Sequence, residues 1–127
     1  MASGHGKLAA MTTTATCHCG AVTIEVPTAP TQVTSCNCSI CRRLGGLWAY
    51  YDPSAVRVVG ETSRYRWGDK TLDIHHCATC GCTTHWSPVD PTSKRMGVNA
   101  RLMDPAIVGA ARVKRVDGAA DTWATID

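Results

Sequence analysis

Three cysteine groups carry the chemistry legible in this chain: Cys17-His18-Cys19-Gly20, Cys36-Asn37-Cys38-Ser39-Ile40-Cys41-Arg42 and Cys77-Ala78-Thr79-Cys80-Gly81-Cys82. A C-x-x-C pair followed by glycine lets both thiolates turn toward one ion while backbone amides face the sulfurs. Zn2+ takes four such ligands tetrahedrally, at about 2.3 Å. The C-x-C pairs are tighter, and Gly20 permits the backbone conformation needed just after the first of them. Eight cysteines in three clusters exceed what ordinary buried cysteine accounts for. A disulfide framework would go with export. Residues Met1 to Ala10 lack the basic start, apolar stretch and cleavage pattern of a secretory signal. The expected compartment is therefore the reducing cytoplasm, where thiols stay thiols and metal is their natural use.

A closed structural site needs four ligands, and two separate pairs brought together would staple the fold. Cys17 and Cys19 with Cys77 and Cys80 satisfy that. The triplet Cys36, Cys38 and Cys41 lies close enough in sequence to wrap a second ion from one loop. Three protein ligands with one open position mark a catalytic zinc, and a substrate thiol is one candidate for that position. Cys82 admits two readings: a fourth thiolate closing the second site, or a small buried residue beside the first.

The elements that must position these groups read as short strands. Ala21–Val26 puts Val22, Ile24 and Val26 on one face and Thr23 and Glu25 on the other, a period of two ended by Pro27. Leu47–Tyr51, Val56–Val59, Arg64–Trp67, Leu72–His76, Thr83–Trp86 and Met96–Arg101 are further strand candidates, separated by glycine, proline and aspartate breaks. In Pro105–Val116 a helical turn competes, with Val113–Val116 still strand-like. The expected architecture is mainly β, in one small zinc-binding domain over residues 14–127, preceded by a disordered extension over 1–13.

The chain has 127 residues and no Phe, so the tryptophans and tyrosines are expected to carry the aromatic burial. A core this thin leaves room for structural metal to supply stability. Net charge is +3 without a long basic block, which gives no support to nucleic-acid binding. No apolar run reaches membrane-spanning length. Short β-domains of this kind often pair, so a homodimer is the assembly to test.

Taken together and in order, CHCGAV, CNCSICRRLGG, HHCATCGC and GVNARLMD resemble the glutathione-dependent formaldehyde-activating family, which also includes centromere protein V. The resemblance runs from Cys17 to about Asp104. It implies twisted antiparallel sheets around two zinc ions per chain. The structural one is held by Cys17, Cys19, Cys77 and Cys80, and the catalytic one by Cys36, Cys38 and Cys41 near the substrate. The implied activity is that of a carbon–sulfur lyase, condensing glutathione with formaldehyde to S-(hydroxymethyl)glutathione. The family pattern assigns Cys82 no role.

For such a substrate, Arg42 and Arg43 are candidate cations beside the thiolates. Arg101, in Asn99-Ala100-Arg101, is a candidate for a bidentate carboxylate contact. Trp48 and Tyr50 are candidate pocket walls, though a core role suits them as well. The histidines near the cysteines (His18, His75, His76 and His85) read as bystanders. His75 and His76 alternate across a strand, so at most one of them faces a given site. Two other functions compete: a non-catalytic, zinc-stabilised binding or scaffold module, and a thiol redox sensor resting on Cys82.

Overall fold

The period-two pattern around Ile24 folds as expected. In the computed structural model, which describes residues 12–68, 70–120 and 123–126, Val22, Ile24 and Val26 are all buried while Glu25 is exposed. Strand β2 (Thr23–Val26) pairs antiparallel with β1 (Thr13–Thr16) on one side and with β5 (Arg57–Val59) on the other, forming a three-stranded sheet. Strand β1 begins at Thr13, at the end of the segment expected to be disordered. Residues 1–11 of that segment lie outside the described residues.

A second sheet has seven strands. Its order is β10 (Arg112–Val116), β3 (Gln32–Cys36), β4 (Trp48–Tyr51), β9 (Met96–Asn99), β8 (Thr83–Pro88), β7 (Leu72–Cys77) and β6 (Thr62–Tyr65). Its neighbours run antiparallel except at one edge, where β10 lies parallel to β3 with Val116 opposite Cys36. A parallel pair needs a long crossover, and here the crossover is the rest of the sheet.

Two short helices flank these strands. Helix α1 (Cys41–Leu44) ends on Gly45 in the left-handed region, whose N–H returns to the Cys41 carbonyl at 2.9 Å. Helix α2 (Pro105–Ala110) settles the competition in that segment. Asp104 caps it by accepting from the Ala106 N–H at 2.9 Å, and proline opens its first turn. Among the described residues no helix is long and apolar enough to cross a membrane.

Side chains from both sheets share one core cluster, including Ala15 and Ile24 from the small sheet and Val33, Ala49 and Val98 from the large one. That cluster holds no tryptophan. Of the tryptophans only Trp48 is fully buried, and it lies outside that cluster, which is built of aliphatic, methionine and cysteine side chains. The reason is alternation. Val33, Ala49 and Val98 face the core, so their neighbours Thr34, Trp48, Tyr50 and Gly97 face the other side of the large sheet.

Candidate metal centre

Cys17 and Cys19 lie in the turn after β1, Cys77 ends β7, and Cys80 lies in the turn leading to β8. Their four sulfurs fall within 4.8 Å of one another. Cys19 Sγ stands 3.7 Å from both Cys17 Sγ and Cys77 Sγ. The two turns are built alike. The N–H of Gly20 reaches the Cys17 carbonyl and that of Gly81 reaches the Cys77 carbonyl, with φ +82° and +81° at the two glycines. Backbone amides then point at sulfur: Val22 N–H donates to Cys17 Sγ at 3.2 Å and Thr79 N–H to Cys77 Sγ at 3.3 Å. The backbone N–H groups of Cys82 and Cys19 pull the Cys80 thiol down to about 5. The group joins a turn of the small sheet to a strand of the large one.

Cys36 ends β3, Cys38 follows in the loop, and Cys41 opens α1. These three sulfurs also lie within 4.8 Å of one another. The Cys38 N–H faces Cys36 Sγ and the Cys41 N–H faces Cys38 Sγ, each at 3.4 Å. Burial pushes the Cys41 thiol well up, opposed by the Trp48 side chain beside it. The Trp48 indole Nε1–H is buried and has no conventional hydrogen-bond partner among the described residues. Thiol-only donor sets with amide N–H groups on the sulfurs suit Zn2+, so both groups fit that ion.

Cys82 sits beside the first group. The His18 backbone N–H favours its thiolate, but burial and the neighbouring Cys80 and Cys17 sulfurs outweigh that and hold the thiol up. The second group accordingly has three donors among the described residues.

The three-cysteine group opens on a cavity of about 760 Å³. It lies on the face of the large sheet away from the core, where Thr34, Cys36, Trp48, Ile74, Trp86 and Val116 alternate inward. Tyr50 and Trp86 meet edge to face at 6.1 Å. Arg95 and Lys114 bring positive charge to the cavity, and among the described residues no Asp or Glu lines it. None of Cys17, Cys19, Cys77 or Cys80 reaches it.

The other residues singled out in the sequence fall differently around this cavity. Trp48 and Tyr50 line it; Arg42, Asn99 and Arg101 do not. Asn99 is buried, and its amide donates to the Thr83 carbonyl at 2.9 Å while accepting from the N–H of Leu47 and of Arg101. Arg101 Nε donates to the Gly45 carbonyl at 2.7 Å. Both therefore brace the segment between Cys41 and Trp48, and Arg42 is exposed. His75 and His85 stack on each other at 4.1 Å, with His75 held between Thr62 and Ser87, and belong to neither cysteine group.

Sequence reasoning did not single out Arg95, Lys114, Trp67 or Trp86 for the cavity. Lys114 carries a signal only once β10 is known to lie in register with β3, and the loop holding Arg95 carries none.

Comparison with curated proteins gives no match. A crystal structure of a Rhodobacter sphaeroides protein is similar, with 32% identity, a TM-score of 0.64, and coverage of 79% of this chain and 98% of the other. The family model for the glutathione-dependent formaldehyde-activating enzyme matches residues 12–123, an interval that contains every cysteine, both sheets and the cavity. The chain belongs to the glutathione-dependent formaldehyde-activating enzyme family.

Proposed function

We propose that the three-cysteine group is the catalytic metal centre of an enzyme that makes or breaks a carbon–sulfur bond on a small-molecule thiol. Glutathione and formaldehyde, giving S-(hydroxymethyl)glutathione, are the case the family's name supports. The observation that carries this reading is that Cys36, Cys38 and Cys41 open on the cavity while the four-cysteine group does not.

A Zn2+ ion held by Cys36, Cys38 and Cys41 would favour the thiolate form of an incoming thiol near neutral pH. A second ion on Cys17, Cys19, Cys77 and Cys80 would have a structural role, since those residues link the two sheets. The chain's own groups supply the rest. The N–H groups of Cys38 and Cys41 stabilise charge on sulfur. Arg95 and Lys114 offset the negative charge of the thiolates and offer partners to the thiol's carboxylates. The aromatic walls keep water from the reacting atoms, and the cavity holds the thiol next to its electrophile, where proximity contributes most. In the reaction the sulfur bonds to the carbonyl carbon, the carbonyl π pair passes to oxygen, and the thiol's proton ends on that oxygen. Reduced thiols of this kind fit the cytoplasm.

Thiols add to formaldehyde unaided, so the test pairs metal with rate. Zinc is counted per chain, and the cobalt-substituted protein is titrated with glutathione while adduct formation is followed. Two metals, a spectrum altered by glutathione and a rate above background are expected. Two metals indifferent to glutathione, with no rate above background, would leave a zinc-stabilised binding or scaffold module.

A further inference from the structure

All four tryptophans of the chain (Trp48, Trp67, Trp86 and Trp123) line the one cavity that receives the three-cysteine group. The chain has no Phe and its core cluster has no tryptophan, so all of its indole surface, with Tyr50, is placed here, while of the aromatic residues Tyr51 packs against the core. Trp48 is buried with its side chain beside the Cys41 thiol, and Trp123 flanks Gly118 together with Cys36 Sγ. Trp67 is stacked on Tyr65, with ring centroids 5.7 Å apart.

Formaldehyde makes little use of such walls, because it adds only two heavy atoms to a thiol. The thiol half makes little use of them too, since a peptide thiol is polar and carries carboxylates. A cavity of about 760 Å³ is of the size that encloses drug-sized ligands. Aromatic cages also bind organic cations. Here, among the described residues, no Asp or Glu lines the cavity while Arg95 and Lys114 do, and neither of these cations is in a salt bridge. The charge therefore selects a ligand with an anionic end, and the walls select an apolar, flat remainder.

We infer that the electrophile handled at this site is an aldehyde carrying an aromatic or extended apolar group, so that the substrate class is the hemithioacetal of such an aldehyde with a carboxylate-bearing thiol. This rests on the reading of the three-cysteine group as the thiol site. The bond changes balance without a redox partner. Sulfur–carbon bond formation opens the carbonyl π bond, its electron pair goes to oxygen, and the thiol proton follows. Reversal releases the free aldehyde and the thiol.

The test uses the zinc-loaded full chain and two stable thioethers, S-benzylglutathione and S-methylglutathione, with affinity read by tryptophan fluorescence and by calorimetry. Seating a phenyl ring against these walls should tighten binding of the benzyl compound by roughly tenfold over the methyl compound. That advantage should fall away in both Trp67→Ala and Trp123→Ala, whose zinc content checks that the fold is kept. Equal affinities for the two thioethers would overturn the inference. So would a benzyl advantage that survives in both variants. Glutathione titrated into the cobalt-substituted protein reports on the underlying reading separately. A spectral change with equal thioether affinities removes only the apolar aldehyde, whereas no spectral change removes the thiol site and the inference with it.

Discussion

The Arg95 guanidinium lies over the Tyr50 ring, its central carbon 3.8 Å from the ring centroid. Tyr50 is in turn set edge-on to Trp86. The aromatic wall thus holds a cation at the cavity by its face, leaving the guanidinium edge able to bind carboxylate.

Arg95→Met should therefore raise the KM for glutathione by about tenfold while leaving kcat within about twofold, as expected for lost ground-state binding. Arg95→Lys should recover only part of this, because an ammonium stacks poorly and cannot bind a carboxylate bidentately. Steady-state kinetics at two ionic strengths checks both variants. An unchanged KM in Arg95→Met would remove Arg95 from substrate binding.

The two cysteine groups should fail in different ways. Cys38→Ser is expected to reduce zinc from two ions to one, in line with the two groups, and to abolish activity while the far-ultraviolet circular dichroism stays native. Cys77→Ser removes a sulfur from the group joining the sheets and should destroy cooperative unfolding altogether, as loss of structural zinc commonly does. Metal analysis and thermal melts on both proteins separate these outcomes.

Gly97 makes room for Trp86. A Cβ at this position would fall into the Trp86 indole, 2.7 Å from its Cδ1. Gly97→Ala should destabilise the fold by about 1–3 kcal/mol through overpacking. It should also shift tryptophan emission as the indole is displaced, with denaturant melts and fluorescence as the readouts.

His85 is buried against His75, and burial with that neighbour lowers its pKa from 6.5 to about 3. The ring is therefore neutral in the folded chain at pH values where the unfolded chain binds a proton. As pH falls below 6.5, His85 should cost stability by up to about 1.4 kcal/mol per pH unit, the cost levelling off once the folded-state value near 3 is passed. His85→Gln should flatten that part of the pH dependence. Urea melts of both proteins between pH 7 and pH 5 check it, and parallel slopes would mean that the ring charges without penalty.

The two cysteine groups that could hold an ion were legible in the chain, in part because spacing within each segment is local. Cys36, Cys38 and Cys41 are close in sequence, and a loop followed by one helical turn suffices to converge them. The alternation at Val22, Ile24 and Val26 marked β2 for the same reason. Strands β1 and β3 went unmarked, the latter because it runs directly into the cysteine loop. The strand expected at Arg64–Trp67 lies two residues earlier, at Thr62–Tyr65.

What surrounds the three-cysteine group was decided elsewhere. Arg42 and Arg101 lay near the motifs in sequence, yet Arg101 braces the Gly45 carbonyl and Arg42 faces solvent. The cations at the cavity are Arg95 and Lys114, brought there from a loop and from an edge strand. Strand pairing over long separations, above all the parallel register of Val116 on Cys36, set which alternate side chains share a face with the sulfurs. The sequence by itself determined the donor atoms, the family and the mainly β character, since these depend on spacing and short-range period. The gathering of four tryptophans and two cations around one thiol group was decided by tertiary structure alone, because it depends on which strands become neighbours, and local pattern does not encode that.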